Sequence, residues 1–173
     1  MRDQPERTNA LILKHLLTSE AGLDAQYPHA SAQPAFTSER IGTCSRESNM
    51  KFEGDYRSID LRDCSNITIR NARVGHLNVV NSRLNMIDTD IRGKDEGLHA
   101  DNSDITITNG IISGLIAISS ERSRFDLAGV QLKAMQDAVK ASDSKFVFSI
   151  CRVHSPHMDG PLHIYKKIID GVL

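Results

Sequence analysis

Along this chain, apolar residues recur in pairs one position apart, and each pair follows a serine. The pattern runs Ser65-Asn66-Ile67-Thr68-Ile69, Ser82-Arg83-Leu84-Asn85-Met86, Ser103-Asp104-Ile105-Thr106-Ile107, Ser123-Arg124-Phe125-Asp126-Leu127 and Ser144-Lys145-Phe146-Val147-Phe148. The serines are 17, 21, 20 and 21 residues apart. Five residues beyond the second member of each pair stands another apolar residue: Val74, Ile91, Ile112, Leu132 and Val153. A third set precedes the serines: Ile59/Leu61, Leu77/Val79, Leu98/Ala100, Ile118/Ser120 and Val139/Ala141, broken only by Ser120. Leu162/Ile164 reads as the start of one more turn. The first serine carries an extra residue before it, so Cys64 competes with Ser65 for that corner.

Alternation with period two is the signature of a strand that sends side chains to opposite faces. Three short strands per turn, repeating at about 20 residues, predict windings stacked at about 4.8 Å that share one core. An antiparallel sandwich would need hairpin turns between neighbours. The period here matches turn to turn. Asn71, Asp88, Asn109 and Gly129 recur at one point after the second strand, and Asn, Asp and Gly tolerate the left-handed backbone of a sharp corner. The serine column is expected to hydrogen-bond along its own stack.

These turns resemble the right-handed parallel β-helix repeats of the pectate-lyase-like superfamily over about 100 residues. The resemblance implies an all-β fold: a single right-handed parallel β-helix of about five to six turns. That superfamily includes pectate lyases, polygalacturonases, phage tailspikes, carbohydrate epimerases and non-catalytic scaffolds. The chain divides by pattern into residues 1–49, 50–164 and 165–173. In the first part, residues 8–18 read as a capping helix with Thr8 as N-cap and an apolar stripe through Leu11, Ile12 and Leu16. Residues 19–49 read as irregular, with Met50 and Phe52 opening a partial first turn. Residues 165–173 are expected to close the other end as a last strand or a short helix.

Composition narrows the partners. Formal net charge is −1, which recruits neither nucleic acid nor an anionic membrane. Aromatic residues make up 5% and Trp is absent, which disfavours a stacking platform for sugars or bases. No run approaches the roughly 18 apolar residues of a membrane span, and no signal-peptide pattern opens the chain. The expected location is cytoplasmic, or exported without a cleavable signal peptide. Cys44, Cys64 and Cys151 are an odd, widely spaced set that reads as reduced thiols rather than a disulfide framework. No cofactor motif is present, neither a phosphate-cradling glycine loop nor a nucleophile elbow.

Candidate chemistry concentrates where turn length varies, at the corner after the third strand, because inserts along one edge of a repeat array commonly form its binding face. The segment from Asp88 to His99 is faintly similar to the Asp-bearing strand ends of polygalacturonases. The resemblance makes Asp95 and Glu96 a candidate acid/base pair with His99 beside them, since glycoside hydrolysis needs one carboxyl to protonate the leaving oxygen and another to activate water. A lyase would use Asp88, Asp90 and Asp95 to gather Ca²⁺, with Arg92 or Lys94 as the basic group. His76, His154, His157, Asp159 and His163 join the same rim as ligand-binding candidates. Cys151-x-x-His154-x-x-His157 has metal-capable side chains, but Cys151 aligns with Ala72, Gly110 and Val130 as an inward residue, so no metal site is expected. The reading favoured on short length and the missing catalytic signature is a binding or scaffold module for a protein or glycan partner, compatible with a homo-oligomer or a secreted effector. The competing reading is a polysaccharide lyase or glycoside hydrolase acting on acidic glycans.

Overall fold

The computed structural model describes residues 37–173, with 164–169 described by their backbone alone. The expected helix at 8–18 and residues 19–36 lie outside the described residues. The described unit is an all-β parallel solenoid of about five turns. Its strands are β1 (Ile41–Ser45), β2 (Lys51–Tyr56), β3 (Ser58–Arg62), β4 (Ile67–Val74), β5 (Leu77–Val80), β6 (Arg83–Arg92), β7 (Glu96–Asp101), β8 (Asp104–Glu121), β9 (Arg124–His154) and β10 (Asp159–Val172).

Two ladders carry the stack. In one, Gly42, Ile59, Leu77, Leu98, Ile118 and Val139 follow one another in parallel register. In the other, Ile69, Met86, Ile107 and Leu127 do so, and Val74, Ile91, Ile112 and Leu132 do so further along the same strands. Every one of these apolar residues from Ile59 onward is fully buried, as is Val153 in the last winding. Apolar columns of this kind are the reason one winding is not stable alone while five are. Near the C-terminal end the column ends in a stack of Phe125, Phe146 and Phe148, with centroids 4.6 and 5.5 Å apart.

The corners explain which polar residues the core tolerates. Asn71, Asp88, Asn109 and Gly129 all have positive φ, as the repeat predicts. A second such column, Asp63, Asn81, Asn102, Arg122 and Asp143, stands one residue before the serine ladder. Within that ladder each serine Oγ accepts the backbone N–H of the serine one winding earlier: Ser103 Oγ from Ser82 (3.1 Å), Ser123 Oγ from Ser103 (3.1 Å) and Ser144 Oγ from Ser123 (3.2 Å). Each Oγ in turn donates to the carbonyl two residues back, for example Ser123 to Glu121 at 2.7 Å. The buried hydroxyls are thereby satisfied, which is the condition for burying them. Ser120, the break in the apolar register, donates to Ser144 Oγ at 2.6 Å.

Three features differ from the sequence reading. The winding begins earlier, because β1 lies within the segment read as irregular and pairs with β3. At the first corner it is Cys64, not Ser65, that takes the serine position, its N–H donating to Ser82 Oγ at 2.9 Å. Cys64 is bonded to Cys44, one winding earlier, so these two thiols are oxidised rather than free. Lastly, Leu162 does not open another parallel turn. The chain reverses at 155–158, and β10 returns antiparallel to β9, pairing Asp159 with His154, Leu162 with Cys151 and Val172 with Lys140. Leu162 still enters the core, 4% exposed, so its apolar spacing survives while its strand direction does not.

Candidate functional site

The rim residues expected to carry chemistry are placed by tight packing between successive loops. Gly93 N–H donates to the Ser113 carbonyl at 2.9 Å, and Ile116 N–H to the Asp95 carbonyl at 2.9 Å. A Cβ at Gly93 would stand 1.9 Å from the Glu96 carbonyl oxygen, so only glycine makes this turn. Asp95 and Lys94 project from the turn, exposed. Glu96 faces His99 instead of Asp95: its Oε2 is 3.6 Å from His99 Nδ1, and its carbonyl oxygen is 3.0 Å from His76 Nδ1. The structure therefore joins His76, Glu96 and His99 and leaves Asp95 apart from them.

Asp88 and Asp90 belong to a second depression, of about 470 Å³, around the corner column. Asp88 Oδ1 accepts from Asn109 Nδ2 at 3.2 Å. Asp90 accepts the Ile111 N–H at 3.2 Å through Oδ1 and pairs with Arg92 at 3.3 Å through Oδ2. Beside them Arg73 grips Asp55 with both arms, at 2.9 and 2.7 Å, and this bond raises the Arg73 pKa further above its ordinary value. These carboxylates are held by donors of the protein itself. Among the described residues no three His, Cys, Asp or Glu side chains converge in a way that would hold a metal ion.

At the C-terminal hairpin, His154 Nδ1 lies 2.6 Å from Asp159 Oδ1, across the reversal. His157 Nε2 lies 3.5 Å from Asp137 Oδ1. His163 Nδ1 accepts the Ile150 N–H at 3.4 Å. Cys151 points inward, 3% exposed, in the column below which Ala72, Thr89, Gly110 and Val130 run in register. Burial pushes its thiol above the ordinary range.

A groove that the sequence reading did not single out runs along the outer face of the second ladder. It has a volume of about 690 Å³. Its floor is the strand residues just after the serine ladder: Arg83, Asp104, Arg124 and Lys145 on one line, and Asn85, Thr106, Asp126 and Val147 on the next. Register sets Arg83 against Asp104 and Asp104 against Arg124, while Asn85 stands against Thr106 and Thr106 against Asp126. Arg83 pairs with Asp104 at 3.7 Å. Among the described residues, Asn85, Thr106, Arg124, Asp126 and Lys145 form no ion pair or side-chain hydrogen bond. The signal was present in the repeat itself: the position after each of the five serines is basic in three windings and acidic in only one.

No model of a known protein family, no curated protein and no solved structure matches this chain.

Proposed function

We propose that this chain is a binding module that lays an extended polar ligand, a glycan, along the groove of its second ladder. The observation that carries this reading is the contrast in side-chain engagement. Most of the rim's acidic and histidine side chains are tied to one another or to the backbone, while five polar side chains on the groove floor have no side-chain partner among the described residues. A rigid ladder holds those five at fixed rung spacing, so a ligand that meets them loses little in ordering the site. The groove floor is polar and without an exposed aromatic side chain, so recognition there rests on hydrogen bonds, which suits a ligand rich in hydroxyl groups. The fold also supports placing the chain among the right-handed pectate-lyase-like β-helices. The Cys44–Cys64 disulfide supports an exported protein that folds in an oxidising compartment.

The test is binding to a panel of soluble oligosaccharides, followed by the double substitution Asn85→Ala/Thr106→Ala. Both positions are exposed, so the variant is expected to keep its melting temperature and lose affinity for whichever sugar binds. Retained affinity refutes the groove as the site.

A second reading, hydrolysis, has one observation in its favour. Asp104 and Asp126 line the same groove on diagonal positions of adjacent rungs, about 8 Å apart by strand spacing and rise. Two carboxylates flanking a bound sugar are the equipment of a glycoside hydrolase. Release of reducing ends from a bound oligosaccharide, abolished by Asp126→Asn, would decide for this reading over simple binding.

A further inference from the structure

We infer that the outer edge of β10 is a docking surface for a second copy of this chain, and that two copies join their C-terminal ends by pairing β10 with β10 across a two-fold axis. The inference concerns a surface outside the groove and stands whether or not the groove takes a glycan.

The surface follows from how the chain ends. Every other pair of these strands is parallel, and β10 alone lies antiparallel to its neighbour. It retraces the last winding, setting Asp159 against His154, Ile168 against Lys145 and Val172 against Lys140, so it forms the final rung of the stack. Among the described residues it pairs with β9 and with no other strand. Its other edge therefore offers backbone N–H and C=O groups, the template on which a further strand adds. Apolar exposure gathers at the same end. Of the four large apolar residues exposed among the described residues, Met135, Ile150 and Val172 lie on β9 and β10, and Ile41 alone lies elsewhere.

The sequence of β10 selects a second copy as the occupant. A two-fold axis sets identical strands side by side and antiparallel, and every contact then occurs twice. The run Lys166-Lys167-Ile168-Ile169-Asp170 is self-complementary in that arrangement. Centred on Ile168, the pairing sets Lys166 opposite Asp170 of the second copy, Asp170 opposite its Lys166, and Ile168 opposite its Ile168. It also sets Val172, 58% exposed, opposite Ile164 of the second copy. Opposite charges and apolar pairs across two strands both favour pairing. Asp170 is exposed, and it forms no ion pair with another of the described residues. Pro161 has no N–H to give and is the kind of residue that blunts a strand edge. It lies outside the stretch so paired, as does the reversal at 155–158.

Sedimentation equilibrium of the full chain, from micromolar concentration upward, tests this. The mass is expected to rise from one chain to two and to stop there. K166E sets two acids face to face at both halves of the interface, and D170K sets two cations there. Each is expected to raise the dissociation constant about ten-fold or more. The double variant K166E/D170K exchanges the signs and restores both pairs, so it is expected to return to within about three-fold of the wild type. That rescue requires the two positions to face each other across the interface. A mass of one chain at every concentration overturns the inference, as does a mass that grows without limit, the mark of head-to-tail stacking. A dimer unchanged by both single variants, or weakened by them and not rescued by the double, overturns it as well. Melting temperatures taken at a dilution where the wild type is monomeric are expected to agree among all four proteins, which separates lost pairing from lost folding. None of these outcomes bears on the groove.

Discussion

Reducing the Cys44–Cys64 bond should loosen the N-terminal winding by an amount that follows from chain length. The bond joins residues 20 apart, one winding removed from each other. In the chain-entropy account, closing a loop of that size lowers the entropy of the unfolded ensemble by about 11 cal/mol/K, or about 3 kcal/mol at 25 °C. For a unit of this size that corresponds to a fall of about 10 °C in melting temperature. Cys64 also stands where the other windings have serine, so its replacements should differ. In Cys64→Ser, the new hydroxyl can donate to the Arg62 carbonyl as Ser82 does to Val80 at 2.7 Å, returning about 1 kcal/mol. The expected order is therefore oxidised wild type, then Cys64→Ser, then Cys64→Ala and reduced wild type. Calorimetry with and without a phosphine reductant measures it, and hydrogen exchange should report the loss first in β1 and β2. A melting temperature unmoved by reduction, or peptide mapping that finds no linked pair of fragments containing Cys44 and Cys64, would refute the reasoning.

Other consequences follow from the same columns. Ser123→Ala removes one acceptor and one donor from a buried ladder and should cost roughly 1–3 kcal/mol by chemical denaturation. Ile150 is a β-branched residue at φ 54 and 84% exposed, so Ile150→Asn should raise stability by about 1 kcal/mol rather than lower it. Gly110 and Gly160 both have positive φ, +118 and +145, but a Cβ at Gly110 would stand 2.1 Å from the Thr89 carbonyl oxygen, whereas one at Gly160 would meet nothing within 4 Å. Gly110→Ala should therefore prevent stable folding under conditions where Gly160→Ala melts cooperatively. Because burial raises the Cys151 thiol, the folded state keeps it protonated at a pH where the unfolded chain ionises it. Its contribution is complete below about pH 8.5 and declines as pH rises beyond that, and alkylation of native protein at pH 8 should leave Cys151 unmodified while urea exposes it.

Inward positions were legible in the sequence because burial in a stacked solenoid repeats at the same phase in every turn. Val74, Ile91, Ile112 and Leu132 fall in one register, and the Asn/Asp/Gly corner has the backbone its residues suggest. The disulfide was also readable in principle: a cysteine separation of 20 is one period, and residues one period apart are neighbours in a winding stack. Counting cysteines as for a small secreted framework hid this. The return of β10 was not legible, since Leu162 and Ile164 carry the spacing of a parallel strand and direction leaves no trace in a period of two. Loop length drew attention to the rim, but length does not tell whether a loop's side chains are spent internally. Asp90, with Arg92 and the Ile111 N–H, shows that they can be. Outward ladder positions such as Arg124 and Lys145 look in sequence like ordinary surface charges, and only the structure shows that Asp104, in register with Arg124, pairs with Arg83 instead.

The most direct test of where this protein binds is a backbone amide NMR titration with the tightest oligosaccharide of the panel. The groove predicts that shifted resonances gather at residues 83–85, 104–106, 124–126 and 145–147. Shifts gathering instead at 92–99 and 154–163, with the groove silent, would contradict it.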